Sequence, residues 1–128
     1  MDTFSSQGAR RTTKQVGDAA ENAALQYLTA QGLRLLERNF RTPGRGGGEI
    51  DLIMREPDGT VVFVEVRQRK SARYGGAAAS VSYAKQRRII FAAHHYLCRL
   101  SQEPSCRFDV VLLQSGSIEW IKAAFDAS

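Results

Sequence analysis

The stretch EIDLIMREPDGTVVFVEVR, Glu49 to Arg67, is two apolar runs around a short polar turn. Pro57-Asp58-Gly59-Thr60 supplies the turn chemistry, so the runs read as the two strands of a hairpin. Each run carries an acid inside a β-branched stretch: Asp51 in the first, Glu65 in the second. Burying an unpaired carboxylate costs roughly several kcal/mol unless a cation or hydrogen bonds compensate. Two such carboxylates on neighbouring strands suggest a bound metal ion.

Alternation sets the expected faces. In the first strand Glu49, Asp51 and Ile53 fall on one side and Ile50, Leu52 and Met54 on the other. In the second, Phe63, Glu65 and Arg67 oppose Val62, Val64 and Val66. Pairing the strands then places Asp51, Glu65 and Arg67 together near the open end of the hairpin. Two carboxylates, with waters and a substrate phosphate, suit Mg²⁺ or Mn²⁺, which take oxygen ligands in octahedral geometry. A cross-strand ion pair with Arg67 or Arg69 is the alternative for the same acids.

Composition bounds the rest. The chain has 128 residues, enough for one domain with a real core. Lys and Arg number 18 against 13 Asp and Glu, a net charge of +5, which suits a polyanionic partner. No apolar run approaches membrane-spanning length and no signal-peptide core stands at the N-terminus, so no membrane partner is expected and the expected compartment is the cytoplasm. Cys98 and Cys106 make no disulfide framework, which fits a reducing compartment. His94, His95 and Cys98 share one predicted helix but lack a full tetrahedral zinc set, so they read as ordinary helix residues.

Around the hairpin the chain divides simply. Residues 1–13 are polar and read as a flexible tail. The spacing predicts a helix over 14–31, buried through Ala19, Ala20, Ala23, Ala24, Leu25 and Leu28 and stopped at Gly32. A strand over 33–41 follows, then a glycine-rich loop, residues 42–48, that lacks the Gly-Lys-Ser/Thr ending of a nucleotide-binding loop. The hairpin strands run 49–55 and 61–69. A second helix is predicted over 80–100, with Ile90, Ala93, Leu97 and Leu100 as its core stripe. A strand over 107–114 and a short strand near 118–121 close the domain at 122, leaving 123–128 as a C-terminal tail.

This α-β-β-β-α-β order, with Asp on the second strand and Glu-x-Arg on the third, resembles the PD-(D/E)XK, restriction-endonuclease-like superfamily. The ordered set Gly17-x-x-x-Glu21, Asn39-Phe40-Arg41, Gly48-Glu49-Ile50-Asp51-Leu52-Ile53, Phe63-Val64-Glu65-Val66-Arg67-x-Arg69, Lys85 and Arg107-Phe108-Asp109-Val110-Val111 resembles, more narrowly, the YraN-like family of small bacterial proteins. That family is similar to archaeal Holliday-junction resolvases. The resemblance covers residues 17–113 and implies an α/β fold: a three-layer αβββαβ core with a central mixed sheet flanked by helices.

It also implies metal-dependent hydrolysis of phosphodiester bonds in structured DNA, branched DNA included. By the superfamily pattern Asp51 and Glu65 are metal ligands, with the Val66 carbonyl as a third and Glu21 supporting the site from the first helix. Glu21 continues an apolar helix face through Leu25 and Leu28; a pairing with Lys or Arg is its simpler fate. Arg67 stands where the pattern has Lys. A guanidinium cannot act as a base in a protein, but it can grip a phosphate. Lys85 is the candidate for the displaced ammonium, against a simple snorkelling role. Glu49 reads as an extra ligand or a partner for Arg67, and Asp109 as structural, paired with a nearby Arg. Non-catalytic nucleic-acid binding on the same fold is the competing function. A homodimer is implied by the resolvase likeness, since two strand cuts need two sites.

From Val66 to Gln102 there is no acidic residue. Arg69, Lys70, Arg73, Arg87 and Arg88 lie in that tract, with Tyr74 and Tyr83 available to stack on bases. Such a tract fits a phosphate backbone, or a merely solvated helix face.

Overall fold

The computed structural model describes residues 13–69 and 81–127. The elements are α1 (Thr13–Ala30), β1 (Arg34–Arg41), β2 (Glu49–Arg55), β3 (Val61–Arg69), α2 (Tyr83–Leu97), β4 (Cys106–Gln114) and β5 (Ser117–Phe125). The five strands form one open sheet in the order β1-β2-β3-β4-β5. All neighbours are antiparallel except β3 and β4, which run parallel. The parallel pair needs a crossover, and α2 lies within it.

A helix packs on each face, giving three layers. Ala24 and Leu28 of α1 meet Leu52, Met54, Val62, Val64 and Val111. Ile89, Ala92, Ala93 and Tyr96 of α2 meet Ile53, Phe63, Phe108 and Val110 on the other face. The expected mixed α/β fold is therefore present, and the hairpin strands end where the sequence placed them.

Local chemistry explains the boundaries. Gly32 takes φ +101° after α1. The Leu33 N–H then donates to the Leu28 carbonyl at 3.1 Å and Gly32 N–H to Thr29 at 3.0 Å, with Leu33 buried beside Leu28. That is the hydrogen-bond pattern of a Schellman cap. The second helix is shorter than expected. Ser82 caps it, its hydroxyl accepting from the Lys85 N–H at 3.1 Å. At the far end Arg99 and Leu100 close tight i to i+3 turns instead of continuing the helix. Leu100 is 37 % exposed, so it does not belong to the core stripe.

The C-terminal strand runs past the boundary drawn at 122. Ser115 and Gly116 both have positive φ, the turn that joins antiparallel strands through two residues. β5 then continues to Phe125, whose ring stacks on Phe108 with centroids 5.0 Å apart. What carries the strand through its alanines is Asp109, which is fully buried. It accepts from Arg107 Nε at 3.0 Å, from Trp120 Nε1 at 2.8 Å and from the Ala123 N–H at 2.9 Å. Arg107 also pairs with Glu56 in the hairpin turn. Asp109 is thus structural, as expected, and ties β4 to β5.

Two glycines differ sharply in their surroundings. Gly17 on α1 is exposed, and an added Cβ would meet nothing within 4 Å. Gly48, at the end of the glycine-rich loop, is the tight one. A Cβ there would lie 2.0 Å from the Arg88 carbonyl oxygen and 3.2 Å from the Ala92 Cβ. The loop is also pinned at its base: Thr42 N–H donates to Gly48 O at 3.0 Å, and Gly48 N–H to Thr42 Oγ1 at 2.7 Å.

Two substitutions test this packing. Asp109→Ala leaves three part-buried donors without this acceptor and should cost about 3–5 kcal/mol in urea denaturation. Gly48→Ala must displace α2 or the loop and should cost about 1–3 kcal/mol. Gly17→Ala, with no neighbour to meet and a better helix former in place, should be neutral or stabilising by up to about 1 kcal/mol.

Candidate functional site

The β2–β3 ladder stops short. Its last pair is Leu52 with Val64, although the same register would next oppose Asp51 and Glu65. In place of a ladder bond, Asp51 Oδ2 accepts the Val66 N–H at 2.8 Å. The Asp51 and Glu65 carboxyls are neighbours in the opening this creates, close enough for each to affect the other's ionisation. Sequence pattern had put the two acids together near the open end of the hairpin, and the structure does bring them together. Val66 contributes through its N–H, where the expectation concerned its carbonyl.

The faces are less regular than strict alternation requires. Arg38 reaches Glu21 on α1, whereas Phe40, two residues on, packs with α2. Their partners in register behave likewise: Leu52 lies in the α1 cluster and Ile50 in the α2 cluster. Ile50 therefore does not share a face with Leu52 and Met54. The inversion falls at Asn39, which adopts φ +53°, and at Asp51 opposite it. Asn is among the few residues that enter this left-handed region readily. Asp51 consequently sits at a seam where groups from both helical layers reach it.

From the α2 layer comes Lys85, whose Nζ is 3.7 Å from Glu65 Oε2. Capping by Ser82 fixes the turn that carries it. From the α1 layer comes Glu21, close enough for its charge and that of Asp51 to oppose one another. Glu21 is gripped by Arg38 Nε at 3.5 Å. With its nitrogen turned toward Glu21, the Asn39 amide donates to both carboxylate oxygens at 3.2 Å. The ion-pair fate foreseen for Glu21 is thus realised, beside the acidic pair rather than away from it. Arg38 and Asn39 were missed as contributors. Asn inside a strand of otherwise large side chains was the signal, since it marks a break in the pleat.

The electrostatics follow from burial. Desolvation pushes the Glu65 carboxyl up to about 7, and the neighbouring Asp51 charge adds to the rise while Lys85 opposes it. Asp51 is also raised, by desolvation first, against the lowering effect of the Val66 N–H and Lys85. Glu21 is raised by desolvation and by Asp51. Three acids whose ordinary state is ionised are therefore crowded where ionisation is disfavoured, a situation a cation relieves.

As a donor set the pair fits a hard divalent cation, since both groups offer oxygens and one lone-pair acceptor set is already fixed by Val66. Among the described residues, no group of three or more His, Cys, Asp and Glu is arranged to hold a metal by itself. Water and substrate oxygens would have to fill most of the shell, which is how Mg²⁺ is usually held.

The other expected residues fall as follows. Arg67 is half-buried on β3, and its charge lowers Glu65 slightly. Glu49 pairs with Arg41 across β1 and β2 at 3.6 Å, so its expected partnership with Arg67 is not the one formed. Arg69 ends β3, and Arg87 and Arg88 are exposed on α2. Lys70, Arg73 and Tyr74 lie outside the described residues. Cys98 and Cys106 are free thiols at the surface. No helix among the described residues is long and apolar enough to cross a membrane.

Residues 20–113, which carry every described element of the site, match the family described as Uncharacterised protein family UPF0102. The chain belongs to this family. It is 71 % identical over 116 residues to the UPF0102 protein of Albidiferax ferrireducens, covering 91 % of each chain. It is 64 % identical over 126 residues to that of Polaromonas naphthalenivorans, covering 91 % of this chain and 82 % of the relative. A third relative, from an Acidovorax species, is 61 % identical over 118 residues, covering 92 % and 89 %.

The raised Glu65 carboxyl makes a prediction with a definite sign. Between its ordinary value of 4.5 and about 7, the unfolded chain's Glu65 is ionised while the folded chain's holds its proton. The folded state then binds more protons, so stability should fall as pH rises through this window, by about 2–3 kcal/mol. Urea midpoints at pH 4.5 to 7.5 measure it. Glu65→Gln, which cannot ionise, should flatten the fall, and millimolar Mg²⁺ should reduce it in the wild type.

Proposed function

We propose that this UPF0102 protein is a divalent-metal-dependent nuclease of the PD-(D/E)XK type, hydrolysing phosphodiester bonds in structured DNA. The observation that carries the reading is the neighbouring Asp51 and Glu65 carboxyls at the end of the β2–β3 ladder, with Asp51 held by the Val66 N–H and the Lys85 ammonium 3.7 Å from Glu65. Two desolvated carboxylates and one fixed ammonium at the mouth of a split between strands are the components that phosphoryl transfer requires.

Asp51 and Glu65 would hold Mg²⁺ or Mn²⁺, with Glu21 supporting the cluster. Bound there, the ion would supply Lewis acidity toward the phosphate and a lowered pKa for water. The chain's own groups do the remainder. The Val66 N–H orients Asp51 and favours its ionised form. Lys85 draws charge from Glu65 and is placed to meet an anionic oxygen at the same point. Arg67 holds a phosphate and stabilises charge in the transition state without exchanging a proton. Arg38 and Asn39 fix Glu21 so that it faces the pair without collapsing onto it.

A second reading, nucleic-acid binding without cleavage, is favoured by Arg67 in the usual Lys position and by the Lys85–Glu65 ion pair, which already neutralises one acid. The discriminating assay is cleavage of branched, duplex and single-stranded DNA with Mg²⁺ or Mn²⁺. Wild type should cleave. Asp51→Ala and Glu65→Ala should each lower the rate by at least about a thousandfold while keeping DNA affinity. Arg67→Lys should retain activity and Arg67→Ala should lose most of it. Absence of cleavage by wild type on every substrate, with DNA affinity intact, selects the second reading. Activity that survives both acid substitutions assigns the chemistry elsewhere.

A further inference from the structure

The outer side of α2 carries an exposed row. Tyr83, Arg87, Phe91 and His95 recur every four residues, so they line one gently spiralling track on the helix. All four are exposed; Tyr83 is 73 % and Phe91 48 % accessible, high for aromatic rings. They contact one another along the track. The Arg87 guanidinium lies 5.9 Å from the centre of the Tyr83 ring, and the Phe91 and His95 rings are 4.8 Å apart.

The charge of the track is one-sided. No acid occurs anywhere in α2, and Arg87 and Arg88 are exposed on it. The track begins in the helical turn that carries Lys85, the residue paired with Glu65. Lys85 turns inward to Glu65 while Tyr83 turns out. Arg88 stands between the two, its backbone pressed against Gly48 at the base of the glycine-rich loop.

We propose that this row is a binding track for an unpaired nucleic-acid strand that leads to the Asp51–Glu65 site. Positive charge suits any nucleic acid, but exposed rings discriminate. In a duplex the base faces are covered by their neighbours, so a duplex uses the arginines and gains nothing from Tyr83 and Phe91. An unpaired strand presents bare base faces, on which aromatic rings stack with little sequence preference. Successive residues of the row rise about 6 Å along the helix, giving a ladder of stacking and charged positions over about 18 Å. The proposal rests on the nuclease reading for the destination of the strand, and it narrows the substrate to DNA with an unpaired segment beside the scissile bond.

The test is fluorescence anisotropy with the full chain in chelator, so that nothing is cleaved. The probes are a labelled oligothymidine of about 15 nucleotides and a blunt duplex of mixed sequence. Wild type should bind the oligothymidine more tightly than the duplex. Tyr83→Ala combined with Phe91→Ala should weaken the strand at least about tenfold and the duplex less than about twofold. Arg87→Gln should weaken both and lower the salt slope. Tyr83→Trp with Phe91→Trp should restore strand affinity, and its tryptophan emission should be quenched on binding, a stacking signature that a structural role would not give.

Unchanged strand affinity in the double-alanine variant overturns the proposal, as does equal loss for strand and duplex. So does a drop in sedimenting mass in that variant with binding intact, which assigns the rings to contact between copies of the chain. The two readings fail separately. An inert double-alanine change alongside dead Asp51→Ala and Glu65→Ala variants removes the track and keeps the nuclease. Strand binding that depends on the rings, in a protein whose acid variants behave as wild type, keeps the track and removes the nuclease.

Discussion

The hydrogen bond from the Val66 N–H to Asp51 Oδ2 is the constraint on which the arrangement depends. Regular pairing of β2 with β3 would give the Val66 region its donors and acceptors from backbone alone. Here a side chain takes that role, and the strands part beyond Leu52 and Val64. Parting leaves a polar opening in a sheet that is otherwise sealed by apolar layers on both sides. An unpaired backbone N–H in such a place would be costly, so the carboxylate that satisfies it is held firmly. The same bond resists protonation of Asp51 while burial encourages it, leaving Glu65 as the more readily protonated member of the pair.

Around that opening the fold works against its own stability. Three acids converge in a desolvated region, and the nearest cation in contact with the pair is a lysine at 3.7 Å. Charge crowding of this kind is tolerated only because the rest of the domain is well packed: Phe63, Leu52, Ile53, Val62 and Val64 are fully buried in the two hairpin strands themselves. On the far side of the sheet Asp109 solves the opposite problem. Its charge is surrounded by three donors, so a buried acid there adds order rather than repulsion.

Much of this was legible in the sequence, for identifiable reasons. The hairpin was readable because period-two apolar runs flank Pro57-Asp58-Gly59 and nothing in them suits a helix. Asp51 and Glu65 were readable because carboxylates inside such runs are anomalous. Gly32 was readable as a helix stop because it follows the last apolar residue of the period. What escaped depended on contacts between distant segments. Alternation cannot show that Asn39 inverts the pleat, since the partner of its side chain is Glu21, from another layer. The final strand looked too short because Lys122, Ala123 and Ala124 have little strand character; Asp109, fourteen residues away from Ala123, supplies what they lack. The open space at Gly17 and the tight contact at Gly48 escaped because sequence shows where side chains are missing, not which gap is filled.

The contact at Gly48 has a mechanical meaning. Where side chains separate two elements, a shift of one is absorbed by rotamer changes; where main chain touches main chain, there is nothing to yield. Gly48 meets the Arg88 carbonyl in this second way. Helix and strand therefore meet, three positions before Asp51, at a point with no side chain between them to absorb a change of spacing.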